Sequence, residues 1–267
     1  MMREEIKKKI CDIVGPENAL DSNLERLAYS YDASFIPLLP ASKPDLVVRP
    51  LTTEEVSKVM AIAYEHEIPV TPRGIASGRT GGSIPVKGGI SLSLDRMTKI
   101  LELDEKNMMV MAEAGVRTFD LYNYCAAKGL FYPPDPASWK FSTIGGNVAE
   151  NAGGMRAVKY GVTSDYLMGL EVVLADGTVL QTGGKAIKNV TGYNLVSLFT
   201  GSEGTLGIIT KVLFRLIPMP HKRRTLQIMF RTFDDGCMTI HKMLQLNIVP
   251  ATAEIMDRTC LDAVARH

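Results

Sequence analysis

TPRGIASGRTGGSIP, Thr71 to Pro85, is the stretch on which the reading of this chain turns. Seven of the ten residues from Gly74 to Ser83 are Gly, Ser or Thr, with a proline near either end. Such a stretch is either a loose linker or backbone that must come very close to something. The strand-like IPVTP runs into it, and it runs out through a proline into a second strand-like run, GGISLSL. A Rossmann turn needs G-x-G-x-x-G between a strand and a helix. The spacing of Gly74, Gly78, Gly81 and Gly82 does not fit, and no amphipathic helix comes after them. No G-K-[ST] closes the loop, which excludes a Walker A reading. A turn remains whose successive N–H groups can converge on an anion, with glycines permitting close approach. Ser77, Thr80 and Ser83 would add hydroxyls, and Arg73 and Arg79 positive charge.

Two further segments favour a binding loop over a linker. TIGGNVAENAGG (143–154) sets Gly145-Gly146 and Gly153-Gly154 around Asn147 and Asn151, whose amides both donate and accept. Backbone packed against a flat polar ring system benefits from that arrangement, whereas a linker does not need it. GSEGTLGIIT (201–210) again joins glycines to a carboxylate, Glu203, at the start of a strand.

The bulk numbers narrow the classes. The chain has 267 residues, a net charge of +1 and 46% hydrophobic residues, enough for one large domain or two modest ones. A near-neutral balance without a basic block leaves no footprint for nucleic acid. No apolar run is long enough to span a membrane, and MMREEIKKKICDIVG lacks the apolar region of a signal peptide. Cys11, Cys125, Cys237 and Cys260 form no C-x-x-C pair, which argues against an iron–sulfur or zinc site here and for reduced thiols in a cytoplasm. His66, His221, His241 and His267 show no metal-ligand spacing, so no metal is expected.

Along the chain, residues 1–40 read as a helix followed by a proline-rich loop, with Ile6, Ile10 and Ile13 at helical spacing. DLVVRP is a short strand. A helix comes next over TTEEVSKVMAIAYEHEIPV, with Thr52 and Glu55 as a capping box and Val56, Val59, Met60 and Ala63 on one face. GGISLSL, ILELD and NMMVMAEAGV are strands, the methionines being core packing. A helix from about Arg117 stops at Gly129. GLEVVLADGTVLQTGG reads as a hairpin with Asp176-Gly177 in a type I′ turn. GTLGIITKVLFRLIP supplies another strand. RTLQIMFRTF (224–233) and ATAEIMD (251–257) read as strands around a helix over 234–247, the beginning of a second unit. Strands and helices mix without strict alternation, which makes the class α+β.

Three glycine-bearing segments in this order resemble the FAD-binding domain of the vanillyl-alcohol oxidase (PCMH) type. The chain is similar, more narrowly, to the FAD-linked D-2-hydroxy-acid oxidoreductases, the group of glycolate oxidase D subunits and D-lactate dehydrogenases. The residues that carry the resemblance are YSYDAS (29–34), TPRGIASGRTGG (71–82), PPDPAS (133–138), TIGGNVAENAGG (143–154), KNVTGYNL (188–195) and GSEGTLGIIT (201–210). It implies an N-terminal helical segment (1–40), a two-part FAD-binding domain (41–220) and the start of a substrate-side cap (221–267). By the same resemblance Pro72, Arg73, Gly74, Ile75, Ala76, Ser77, Gly78, Arg79, Thr80, Gly81, Gly82 and Ser83 are the pyrophosphate loop. Pro134, Asp135, Ser142, Ile144, Gly145, Gly146, Asn147, Asn151, Gly153 and Gly154 would line the diphosphate and the flavin ring. Glu203, Gly204 and Ile208 would contact the cofactor from the third segment.

The resemblance implies oxidation of a small D-2-hydroxy acid, lactate- or glycolate-like. The Cα hydrogen would pass as hydride to flavin N5 while a base takes the hydroxyl proton. The family's late histidine-rich motif, which supplies the base and in many members a metal site, has no counterpart before His267. The catalytic residues are therefore expected beyond it, and the chain reads as part of a longer protein. The alternative is an FAD-binding module that is not catalytic by itself. Electrons would leave to a separate acceptor, an iron–sulfur or electron-transferring flavoprotein subunit. The basic HKRR (221–224) is a solvated patch or a dock for an acidic subunit. No histidine stands in the pyrophosphate loop, so FAD is expected to be noncovalent.

Two departures bear on the site. The family commonly has Gly where Ala76 stands, and Ala in left-handed backbone costs about 1–2 kcal/mol, so Ala76 is expected at negative φ or in a reshaped loop. Asn194 replaces a usual Asp, which removes any charge-based role there. Trp139 either shields the flavin or is a half-buried indole at a domain edge. Lys188 and Tyr193 match a family motif but are common residue types at strand–helix junctions.

Overall fold

Ile6, Ile10 and Val14 recur every fourth residue, so helix α1 (Glu4–Val14) has one apolar, buried face. The computed structural model describes residues 2–35 and 42–266; most of the proline-rich loop expected over 35–44, and His267, lie outside the described residues. A 3-10 turn leads to β1 (Ala19–Leu20) and α2 (Asn23–Ala28), which Ser22 and Glu25 cap reciprocally. The reading of residues 1–40 as one helix and a loop lacks both elements. A two-residue strand exists through its partner rather than through any periodicity of its own.

That partner is β2 (Leu46–Val48), which leads through α3 (Thr53–Glu65) to β3 (Val70–Arg73). Thr52 caps α3 by accepting the Glu55 amide at 3.2 Å. The Glu55 carboxylate turns to the Leu51 amide, so only half of the expected capping box is made. Val56, Val59, Met60 and Ala63 of α3 join the same core as α1. β4 (Ile90–Ser93) then inserts between β2 and β3, parallel to both, giving the order β1-β2-β4-β3. Parallel neighbours are usually joined by a helix. Here residues 74–89, the glycine-rich segment, make the connection without one, leaving the C-terminal end of β3.

The second layer is antiparallel. β5 (Ile100–Asp104) and β6 (Met109–Glu113) are followed by α4 (Thr118–Ala126), β7 (Leu130–Phe131), α5 (Ile144–Ala149) and α6 (Ala157–Tyr160). β8 (Leu167–Val173), β9 (Val179–Gly183), α7 (Leu195–Phe199) and β10 (Ile208–Arg215) complete a sheet of order β5-β6-β10-β8-β9. β11 (Ile217–Pro218) pairs with β7. The architecture is α+β, as the mixed pattern of elements suggests. Gly129 stops α4 with φ of 72°, as expected.

Three expectations are corrected. The β8–β9 turn is not type I′: Gly177 alone has positive φ (86°), and the Leu174 amide donates to the Thr178 carbonyl around a three-residue loop, a type I turn closed by a left-handed glycine. Residues 224–233 are not a strand, Phe233 instead opening α8 (Phe233–Gln245), and residues 251–257 are not a strand before α9 (Arg258–Ala265). Apolar residues alternate in both stretches, but among the described residues their backbone groups meet no ladder partner, and Met229 is 92% exposed. Among the described residues no helix is long and apolar enough to cross a membrane.

The two layers are tied at α3. Ser57 donates to the Gly177 carbonyl at 2.5 Å, and a β-carbon at Gly177 would lie 2.6 Å from the Ser57 carbonyl oxygen. Glu171 on β8 is the polar pin beside this contact. Its Oε1 accepts from Thr53 Oγ1 at 2.6 Å and Thr210 Oγ1 at 2.9 Å, and its Oε2 from Lys211 Nζ at 3.2 Å. Burial pushes the Glu171 carboxyl pKa up, but the hydrogen bonds from Thr53, Lys211 and Thr210 outweigh it and hold the group below its ordinary value. A depressed folded-state value stabilises the fold above about pH 4.3, and that contribution is lost as pH falls through the folded value. Glu171→Gln should therefore lower stability by about 1–3 kcal/mol at pH 7. Urea denaturation at pH 7 and pH 4 should show the deficit shrinking in acid.

Candidate cofactor site

Three main-chain segments from distant parts of the chain meet beyond the end of β3. The third binds the second directly: the Gly201 amide donates to the Val148 carbonyl at 3.0 Å and the Glu203 amide to the Ala149 carbonyl at 2.9 Å. The first rests on both. A β-carbon on Gly78 would lie 3.2 Å from Glu150 Oε1, and one on Gly82 would lie 2.8 Å from Glu203 Oε2. Gly74 faces the hydroxyl of Thr143, and Gly204 faces the ring of Pro72. The YSYDAS segment closes the far side, the Ala33 amide donating to the Gly78 carbonyl at 3.0 Å.

The segments differ in how their own hydrogen bonds are made. In the second, the amides of Ile144, Gly145 and Asn147 donate to Val116, Ala114 and Thr143 carbonyls at 2.9 Å each. Inside it, Asn147 Nδ2 donates to Thr118 Oγ1 at 2.7 Å, itself 2.9 Å from Ser142 Oγ. Asn151 Oδ1 accepts the Ser164 amide at 2.9 Å. From Gly74 to Ser83, by contrast, no backbone N–H donates to an acceptor among the described residues. These residues are half-buried or exposed, so the row of main-chain donors is open to an acceptor from outside, as in an anion-binding nest.

Strain is gathered at the same place. Each segment holds one non-glycine residue in left-handed backbone, Ala76 (φ 55°), Asn151 (φ 47°) and Glu203 (φ 51°). The expectation of negative φ at Ala76 is thus overturned: the loop turns there, between Gly74, which faces Thr143, and Gly78, which faces Glu150.

Gly74, Ile75, Ala76, Ser77, Gly78, Ser83, Ser142, Gly146, Asn147, Asn151 and Gly153, all named from sequence, line one groove of about 310 Å³. Ser138, Thr143, Glu150 and Ala152 complete it without having been singled out, although each lies inside or beside a quoted motif. Pro72, Gly204 and Ile208 instead line a second groove of about 960 Å³, with residues of α1 and the end of α3. The motifs mark only Pro72 and Gly204 to Ile208 of its lining; the rest comes from in and around α1 and the end of α3, and from Ala175. Arg79, Thr80, Gly81, Gly82, Pro134, Ile144, Gly145 and Gly154 line neither. Gly145 and Gly154 are close-packing positions: a β-carbon on Gly145 would lie 2.5 Å from that of Ala114, and one on Gly154 would overlap the Asp135 carbonyl.

Several charged groups are engaged elsewhere. Arg73, expected to lend charge to an anion, donates to the Tyr29 carbonyl at 3.0 Å and stacks 4.8 Å over its ring. Asp135 pairs with Arg156 at 3.2 Å, while burial raises its pKa. Trp139 packs on Phe119 and Tyr122 of α4, ring centroids 5.3 and 5.7 Å away. Asn194 caps α7 through the Ser197 amide at 3.0 Å, a role open to Asn and Asp alike. Lys188 and Tyr193 are exposed and line neither groove.

An α+β scaffold that brings unpaired main-chain donors and glycine-lined walls into one groove defines a domain for a phosphate-bearing cofactor. The chain belongs to the FAD-binding domain family, whose family model matches residues 44–183, just over half of its length. It is 46% identical over 261 residues to the glycolate oxidase subunit GlcD of Bacillus subtilis strain 168, covering 98% of this chain and 55% of that protein. It is 42% identical over 217 residues to a D-lactate dehydrogenase of Anaerostipes hadrus, covering 81% of this chain and 46% of that protein. The chain thus spans about half the length of these curated relatives. In fold it is similar to p-cresol methylhydroxylase, solved with substrate bound, at a TM-score of 0.76 and 25% identity over 91% of this chain and 48% of that one. Alkyldihydroxyacetonephosphate synthase gives a TM-score of 0.82 at 24% identity over 94% of this chain and 47% of that one, a likeness of fold alone. FAD is the cofactor of this domain.

Two substitutions check the geometry. Ala76→Gly should relieve the left-handed strain and raise stability by about 0.5–1 kcal/mol once the greater chain entropy of glycine is subtracted, read as a higher Tm with FAD binding kept. Gly154→Ala should weaken FAD binding at least tenfold by forcing the second segment off Asp135, measured by flavin fluorescence titration.

Proposed function

We propose that this chain is the flavin-holding part of an FAD-dependent oxidoreductase that oxidises a small D-2-hydroxy acid, lactate- or glycolate-like. The observation that carries the reading is the row of unpaired N–H groups from Gly74 to Ser83, fixed against the second and third segments. In this reading the loop binds the diphosphate through those donors and the hydroxyls of Ser77 and Ser83. Gly146, Gly153 and the side of Asn151 let the planar ring lie close to main chain. Asp135, Ile144, Gly145 and Gly154 act from behind, setting the positions of the lining residues. Pro72, Gly204 and Ile208 would receive another part of the cofactor in the larger groove.

FAD held there would supply the two-electron acceptor, N5 being where the substrate's Cα hydrogen would go as hydride. This chain's residues orient and shield that acceptor. No histidine lies in the loop, which supports noncovalent attachment. None of the described histidines lines the smaller groove, so the base for the hydroxyl proton is assigned outside these residues. The names of the relatives support the hydroxy-acid substrate and a subunit assembly. Within such an assembly the electrons are assigned to an iron–sulfur or electron-transferring flavoprotein partner. The same reading divides the chain into residues 1–40, 41–220 and 221–267, with β1 of the first part joining the sheet of the second.

The test is a titration of the purified chain with FAD, then with D-lactate and glycolate under an artificial electron acceptor. One equivalent of FAD should bind, with no turnover by these residues alone. Tight binding of NAD or ATP in place of FAD would overturn the cofactor assignment, and turnover by this chain would overturn the placement of the base.

A further inference from the structure

Two carboxylates stand where the anion-binding loop meets its supports. Glu150 closes α5 and reaches the first segment, its Oε1 3.4 Å from the hydroxyl of Thr80, beside Gly78 and Gly82. Glu203 arrives from the third segment and meets the same Gly82. Asp32, from the YSYDAS segment, is the second acid, after Glu203, to act on Glu150. The one cation of the loop's outer turn, Arg79, is exposed and makes no ion pair among the described residues, and Arg73 is engaged by Tyr29. Glu150 also lines the groove itself. An anion placed on the loop's N–H groups therefore meets a carboxylate that lies against the same glycines.

Resting on the assignment of FAD to this groove, we propose that Glu150 makes cofactor capture proton-linked: it takes up one proton when the diphosphate docks. Each neighbouring acid raises the cost of the ionised form. Burial and the neighbouring Glu203 and Asp32 already hold the Glu150 pKa above its ordinary value, against the lowering influence of Thr80. A diphosphate adds further negative charge and excludes water, raising it again. A group whose pKa rises on binding favours the complex below its free-state value, and that advantage is lost as pH climbs through the bound-state value. Protonated, Glu150 also gains an O–H donor, turning a repelled acceptor into a partner for a phosphate oxygen. Asn at this place could not titrate. Among the described residues no other carboxylate both lines the groove and touches the loop.

The experiment is FAD binding to the purified apoprotein from pH 5 to 9 at constant ionic strength, for the parent, Glu150→Gln and Glu203→Gln. Between the two pKa values the parent Kd should rise about tenfold per pH unit. Glu150→Gln should remove that slope and bind at least tenfold tighter than the parent at the alkaline end, while Glu203→Gln keeps a slope displaced to lower pH. Calorimetry of the parent in Pipes and in Tris, which needs no variant, should show uptake of about one proton within the window. A flat parent profile, an equal slope in Glu150→Gln, or loss of the slope in Glu203→Gln alone would overturn the proposal. Absence of FAD binding at every pH would instead overturn the assignment of the cofactor.

Discussion

The arrangement depends on one constraint: the connection from β3 to β4 leaves its main-chain donors from Gly74 to Ser83 without partners among the described residues. The loop is half-buried or exposed, so these donors stay open to a ligand while the surrounding structure holds the backbone in place. The hold comes from the amides of Gly201 and Glu203, bonded to carbonyls of α5, and from glycines that let Thr143, Glu150 and Glu203 approach the loop. Left-handed backbone at Ala76, Asn151 and Glu203 is the accompanying strain, one residue per segment.

The two layers serve this convergence in different ways. The parallel pairing of β3 with β4 requires a long connection, which here has no helix and becomes the loop. The antiparallel sheet carries the other two segments: Ala114, just past β6, accepts the Gly145 amide of the second, and the third opens β10. α3 packs between the layers, joined to β8 through Thr53 and Glu171 and to the β8–β9 turn through Ser57. A shift between layers would thus move the loop relative to its supports, which gives the buried polar pin at Glu171 a bearing on cofactor geometry as well as on stability.

Much of this was legible in the residues. Glycine spacing without a helix after it excluded the commoner nucleotide folds, and glycine-rich motifs marked all three segments that meet. The misreadings have local physical causes. Alternation of apolar residues in 224–233 and 251–257 signals an extended backbone but cannot supply the partner that makes a strand. The dipeptide Asp176-Gly177 allows more than one loop length, and the contact with Ser57 accompanies the longer one. Ala76 carries a Cβ that argues for negative φ, yet the turn between Gly74 and Gly78 holds it at φ 55°. Glu150 stood unremarked between two alanine–asparagine stretches, because only the folded chain brings it against Gly78.

Amide hydrogen exchange with and without FAD tests the central claim most directly, since it reads the loop's N–H groups themselves. Binding should slow exchange across Gly74 to Ser83 by far more than across the second and third segments, whose amides at Gly145, Asn147 and Glu203 are already bonded within the chain. FAD bound tightly while exchange from Gly74 to Ser83 stays unchanged would contradict it.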